Sequence, residues 1–207
     1  MTDKPPPGTP RPGGRTARTR AAVLRAVVEV LTENGYAGAT VERIAARAGI
    51  AKTTIYRRWG GLNGLLADLM AGYAGRQIPV PDEGNLGADL RMLSRSVVAS
   101  LQDPAIRTAF TSIVAAAAED PAARDTLARF VAARAALMAV IVNRATERGE
   151  VPPGTDAAEV VQIVTAQLYY RLITAEEPLS QEVADRAAAI AAAAGRAGVL
   201  AAEHPPA

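Results

Sequence analysis

Between Thr40 and Trp59 the chain gathers Lys52, Thr53, Thr54, Tyr56, Arg57 and Arg58 into one short run. Every one of these side chains can donate a hydrogen bond and three carry a permanent positive charge, which is the chemistry needed to hold phosphates and read base edges in a DNA groove. Catalytic chemistry has far less to work with. The sole histidine, His204, lies in a proline-flanked tail, cysteine is absent, and neither a glycine-rich phosphate loop nor a carboxylate cluster with metal-ligand spacing occurs. No enzyme, catalytic residue, metal or cofactor is expected.

The elements that must position this run are two short helices around a tight corner. Thr40 is placed to cap the first, and Val41, Ile44, Ala45 and Ala48 follow at the spacing of one buried stripe. Gly49 suits the corner because it enters the left-handed backbone region without a side-chain clash. Ile50 plugs the junction, and Ile55 and Trp59, four residues apart, turn the apolar side of the second helix inward. An ordinary helical hairpin with a solvated charged face would look similar. The charge distribution favours the nucleic-acid reading: residues 1–80 hold 12 Lys/Arg against 5 Asp/Glu, whereas residues 81–207 hold 11 against 16. A basic first part and an acidic second part point to a polyanionic partner for the first, and no row of large apolar residues lies beside the basic helices for insertion into a membrane.

Residues 1–14, rich in proline and glycine, read as a disordered basic arm; residues 15–61 read as a helix-turn-helix domain, 62–200 as a second helical domain and 201–207 as a tail. The first helix is expected from Thr16 to Asn34, ended by Asn34-Gly35, and the fourth from Leu62 to Arg76, ended by Pro79 and Pro81. Beyond Asp82 the spacing predicts helices over 86–101, 104–118, 121–148, 156–175 and 180–198, with Pro104 and Pro121 at helix starts. Period-two alternation is missing, so the fold class is all-α. In the long helix Leu127, Val131, Leu137, Ile141 and Ala145 are assigned to the inner face. The helix from 156 is apolar on nearly every side and must be covered on every side, either by a central place in the core or by a second subunit; with the alanine-rich last helix it forms the candidate homodimer interface, residues 156–198. The longest nearly apolar stretch is too short to span a bilayer and the start lacks a signal peptide's apolar core, so no membrane partner and a cytoplasmic location are expected.

Residues 18–70 resemble the tetracycline-repressor (TetR) family of bacterial transcription regulators, through Asn34-Gly35-Tyr36, Ala39-Thr40-Val41, Ile44-Ala45, Ala48-Gly49-Ile50 and the run from Lys52 to Trp59. Asp103-Pro104, Asp120-Pro121, Gly149-Glu150 and the stretch from Leu168 to Leu172 extend the likeness more loosely into the second part. The resemblance implies a homodimer on a palindromic operator in double-stranded DNA, a three-helix N-terminal DNA-binding domain and a C-terminal domain for effector binding and dimerisation. It also implies repression relieved by a small molecule, in a protein associated with the bacterial nucleoid. Two departures stand out: Gly61-Leu62 replaces the family's usual Ser-Lys pair at the start of the fourth helix, and Ala51 stands where a capping serine is common.

By chemistry and resemblance together, Lys52, Thr53, Thr54 and Arg57 are assigned to base edges or flanking phosphates, and Tyr56 and Thr40 to phosphates. Arg43 and Arg58 face either DNA or solvent. Arg11, Arg15, Arg18 and Arg20, in or beside the flexible arm, suit a narrow minor groove or a solubilising tail equally. For a hydrophobic or aromatic effector, the candidate lining comprises Met70, Tyr73, Met92, Phe110 and Ile113 from the first half of the second domain. Phe130, Leu137, Met138, Tyr169 and Arg171 follow from the second half. Arg171, a charge on an apolar helix, pairs with an anionic ligand or with a carboxylate such as Glu176 or Asp185. The alternatives are an effector-independent architectural DNA-binding protein, or a helical small-molecule carrier or enzyme. In the preferred mechanism the effector favours a conformation whose recognition helices no longer match half-sites roughly 34–36 Å apart.

Overall fold

The computed structural model describes residues 14–77, 80–174 and 178–201, without the side chains of Arg15 and of residues 72–77. The described residues form nine helices and one isolated antiparallel bridge, Thr155 with Ala201. α1 (Arg15–Gly38) follows the expected helix to Asn34, then Gly35 departs from helical geometry at φ 63°, ψ −177°. The chain bends there and Tyr36 to Gly38 make a last turn, so Asn34-Gly35 marks a kink rather than the final residue of the element.

α2 (Val41–Ala48) starts where the Thr40 hydroxyl accepts the Arg43 backbone N–H at 3.2 Å and ends at Gly49, φ 67°, ψ 35°. The Ile50 amide reaches back to the Ala45 carbonyl at 3.0 Å, closing the corner. α3 (Lys52–Trp59) begins at Ala51 with no side-chain cap, the consequence of having alanine there, and stops at Gly60. Only Gly60 and Gly61, both at positive φ, separate it from α4 (Leu62–Gln77).

The other helices start on side-chain caps. Asn85 opens α5 (Leu86–Gln102), Asp103 opens α6 (Pro104–Ala117), and Asp120 opens α7 (Pro121–Glu147). Asp156 accepts the Ala158 and Glu159 amides at the head of α8 (Ala157–Thr174), and Ser180 caps α9 (Gln181–Arg196).

Packing divides into two apolar cores. One is built from α5, the C-terminal part of α7, α8 and α9, with Leu90, Ile141, Val164 and Ala187 fully buried. The other is built from α1 to α4 with α6 and the first turn of α7: Val23, Ile44, Ile55 and Leu66 pack with Ala109, Phe110 and Ile113. The helix-turn-helix therefore shares its core with α6, to which α1 packs directly. Tyr169 and Leu172 of α8 lean against both cores. No helix among the described residues is long and apolar enough to cross a membrane.

Candidate nucleic-acid interface and ligand cavity

On α3 the sequence pattern sorts cleanly. Ile55 is fully buried and Trp59 half-buried, while Lys52, Thr53, Tyr56, Arg57 and Arg58 are exposed and Thr54 is intermediate. The assigned donors thus share the outward face of one short helix, with exposed Thr40 and Arg43 beside it on the preceding element. The Thr40 oxygen is occupied as a cap, but its O–H can still donate. Arg43 is tethered, its Nη1 donating to the Gly38 carbonyl at 2.8 Å. Lys52 lies 3.7 Å from Glu42, a loose exposed pair that an incoming phosphate can displace. Arg58 stacks its guanidinium 5.5 Å from the Trp59 ring centroid. Arg18 is exposed on the first turns of α1; the Arg15 side chain and residues 1–13 lie outside the described residues.

What holds α3 in place is a polar clasp. The Trp59 indole N–H donates to Asp68 of α4 at 2.9 Å, and Arg20 of α1 grips the same carboxylate through Nε at 2.8 Å and Nη2 at 2.6 Å. Three helices meet at one carboxylate, and its hydrogen bond raises the pKa of Arg20; Arg20, expected among the arm arginines, is instead held against α4 by this pair. Assigning Trp59 to the core accounted for its ring but not for this bond; the signal available in the sequence was Asp68, the one acidic residue of α4, among the leucines Leu65, Leu66 and Leu69. Gly64 adds a steric lock, since a β-carbon there would fall 1.7 Å from the Trp59 carbonyl oxygen.

A second clasp joins the two halves. Tyr36, in the turn beyond the α1 kink, donates its hydroxyl to Asp120 at 2.7 Å, with Asn63 of α4 at 3.2 Å. Asp120 uses its other oxygen to cap α7 through the Ala122 amide. Burial, followed by the Asp120 bond, pushes the Tyr36 phenol up to about 12, and the same bond, followed by the Ala122 amide, lowers the Asp120 pKa.

The cavity lies at the seam between the cores. Met70 of α4 and Phe110 of α6 come from the first core; Leu93, Val97 and Met138 come from the second; Phe130 and Tyr169 complete the apolar wall. The Phe110 and Tyr169 rings stack with centroids 4.5 Å apart. Its free volume is about 60 Å³, well below the roughly 150 Å³ of an engineered cavity that admits benzene. An occupant of useful size must move side chains, and the two methionines are the most adaptable parts of the wall.

Of the ten residues expected around an effector, Met70, Phe110, Phe130, Met138 and Tyr169 meet in this cavity. Ile113 is buried in the first core instead, and Arg171 is not part of the wall. Met92 and Leu137 are 37% and 47% exposed. Leu137 departs from the expected inner face because the buried stripe of α7 runs through Ala135, Met138, Ile141 and Val142, one residue further round the helix. The Tyr73 side chain and Glu176 lie outside the described residues. Asp185, a suggested partner for Arg171, is engaged by Arg95 in a two-pronged pair at 2.7 Å for each bond. Sequence reasoning missed Arg134 of α7, which lines the cavity between Phe130 and Met138. Its signal was spacing: Phe130, Arg134 and Met138 are four residues apart and share one face.

Comparison with known proteins agrees with this architecture. Residues 23–69 match the family described as bacterial regulatory proteins, tetR family, and residues 80–191 match the tetracyclin repressor-like C-terminal domain. The chain is 29% identical over 147 residues to the HTH-type transcriptional regulator AqdR of Rhodococcus erythropolis, covering 71% of this chain and 70% of that protein. The crystal structure of the TetR family transcription regulator SCO0332 superposes with a TM-score of 0.65 at 28% identity, covering 85% of this chain and 97% of the other. A SmeT–triclosan complex shares the fold with a TM-score of 0.63 at 20% identity, covering 91% and 97%. Both halves of the molecule, the helix-turn-helix with its donor-rich outer face and the helical domain behind it, therefore make this chain a member of the TetR family of DNA-binding transcriptional regulators with a C-terminal ligand-binding domain.

Proposed function

We propose that the protein is a homodimeric repressor that leaves a palindromic operator when a small molecule occupies the seam cavity. The observation that carries this reading is the position of Met70: it forms cavity wall on α4, and α4 is the helix whose Asp68 holds Trp59 of the recognition helix α3. Widening the cavity against Met70 pushes on the element that orients α3. The Tyr36–Asp120–Asn63 clasp carries the same displacement from α7 to α1 and α4. Occupation and DNA binding are then coupled in the required thermodynamic sense, because the ligand binds better to the widened form.

In this reading Lys52, Thr53, Thr54 and Arg57 approach base edges or their flanking phosphates, and Tyr56 and Thr40 hold phosphates. SmeT, which shares the fold, forms a complex with triclosan, consistent with an aromatic or otherwise apolar occupant here. The dimer is supported by α8 and α9. Gln162, Ala166, Tyr170 and Ile173 form one exposed row on α8, where Tyr170 is 68% exposed, and α9 exposes Ala189, Ile190 and Ala193. Small side chains beside exposed apolar ones suit close packing against a second copy.

Selection of preferred duplexes from random DNA with purified full-length protein tests the proposal. An enriched inverted repeat whose half-sites lie about one helical turn apart, with affinity falling steeply as salt rises, is the expected result. Recovery of no motif would refute the operator reading and favour an architectural role.

A further inference from the structure

The cavity wall is not electrically neutral. Among the described residues that line it there is no aspartate or glutamate, and there is one arginine, Arg134. The second half of the chain carries excess negative charge overall, so this positive site is a local feature rather than a sample of the domain's composition. Guanidinium remains protonated at all physiological pH values, and partial burial pulls the Arg134 pKa down because charge is poorly solvated there.

The remaining polar groups narrow the choice of partner. The hydroxyls of Ser100 and Thr165, also in the wall, already donate to helix carbonyls, Ser100 to Ser96 at 2.9 Å and Thr165 to Val161 at 3.1 Å. Facing a ligand they offer acceptors only. Two donors remain: the Tyr169 phenol, which lies within electrostatic reach of Arg134, and Arg134 itself, the charged and stronger one, whose five N–H groups allow it to serve a protein acceptor and a ligand together. A carboxylate matches that planar fork with two parallel bonds, whereas a neutral acceptor makes a weaker contact. The apolar remainder, from Phe110, Phe130 and the two methionines, takes a flat or branched hydrocarbon body.

We infer that the effector of the seam cavity is an amphiphilic anion, an aromatic or branched hydrocarbon bearing one carboxylate that pairs with Arg134. This rests on the effector-responsive reading above and specifies the chemical class at the same site. It narrows the hydrophobic or aromatic effector expected from the sequence to one that also carries a carboxylate.

The test is calorimetric titration of the full-length protein with two matched pairs, benzoate against benzamide and 2-naphthoate against 2-naphthamide. Within at least one pair the acid should bind about tenfold or more tightly than its amide, the scale of a charge-assisted contact. Arg134→Met should erase that preference while leaving amide affinity nearly unchanged, and Arg134→Lys should keep part of it. Thermal melting of both variants verifies folding, and the lysine variant carries the test if the methionine variant melts early. Equal affinity for acid and amide, survival of the preference in Arg134→Met, or binding of neither pair would overturn the inference. Measuring DNA affinity with and without the bound acid separates the two proposals. Arg134-dependent acid binding that leaves DNA affinity unchanged would uphold the ligand class and sink the repressor-release mechanism.

Discussion

At the scale of single residues, α3 divides its side chains between an exposed donor face and a structural one. Lys52→Ala or Arg57→Ala should weaken operator binding about ten- to hundredfold if the side chain reaches a base edge, on the basis of roughly 1–3 kcal/mol per good contact. Loss of a phosphate contact instead flattens the salt dependence by about one unit of slope, and anisotropy titrations at several salt concentrations distinguish the two. Trp59→Phe keeps an aromatic side chain but removes the indole N–H that bonds Asp68, together with part of the ring; a stability loss of at least about 1 kcal/mol in urea denaturation is expected. The Tyr36 clasp makes a pH-dependent prediction. The Asp120 pKa lies below its ordinary 3.8, so its stabilisation is complete above that value and disappears as pH falls through the folded pKa. Tyr36 moves from 10.0 to about 12, so its contribution is complete below pH 10 and is lost on the way to 12. The stability difference between wild type and Tyr36→Phe should therefore be flat across neutral pH and shrink at both extremes. The sequence made the donors of α3 legible because exposure follows from helical period. It left the two clasps illegible because Trp59–Asp68 and Tyr36–Asp120 join positions whose proximity depends on how helices pack.

At the scale of elements, boundaries were readable wherever a local chemical cause sets them: Thr40 as a cap, Gly49 as a corner, Pro104 and Pro121 at first turns. Helix orientation was less readable. In α7 an error of one residue in the inward stripe sent Leu137 outward and concealed Arg134, since adjacent positions on a helix differ by about 100° and a long helix offers two plausible apolar faces. The α3–α4 junction depends on close approach. Gly64→Ala should displace α4 from Trp59, because the contact to be avoided is a backbone oxygen rather than a movable side-chain end. Loss of operator affinity with a lowered melting temperature is expected, and retention of both would show that the junction yields easily.

At the scale of the whole molecule, the sequence indicated an all-α chain in two parts and a surface needing cover, and α8 presents such a surface. Ile173→Glu, at a position already 51% exposed, should leave the monomer's fold intact and shift sedimentation velocity from dimer to monomer, with operator affinity falling as the second half-site is lost. A dimer that persists in this variant would move the interface elsewhere. The seam cavity could not be read from sequence because five helices contribute to it, and their meeting is a property of tertiary packing alone.

The sharing of one apolar core by α6 and the helix-turn-helix limits how such proteins can be recombined. Ala109, Phe110 and Ile113 supply a wall for residues that lie far earlier in the chain. A chimera that grafts residues 15–70 onto another relative's C-terminal half would import a reading head without the surface it was shaped against. Transferring the α6 wall residues with it should restore solubility and cooperative melting. If the proposed repressor reading holds, the DNA-binding head and the α6 wall should therefore be exchanged together rather than separately.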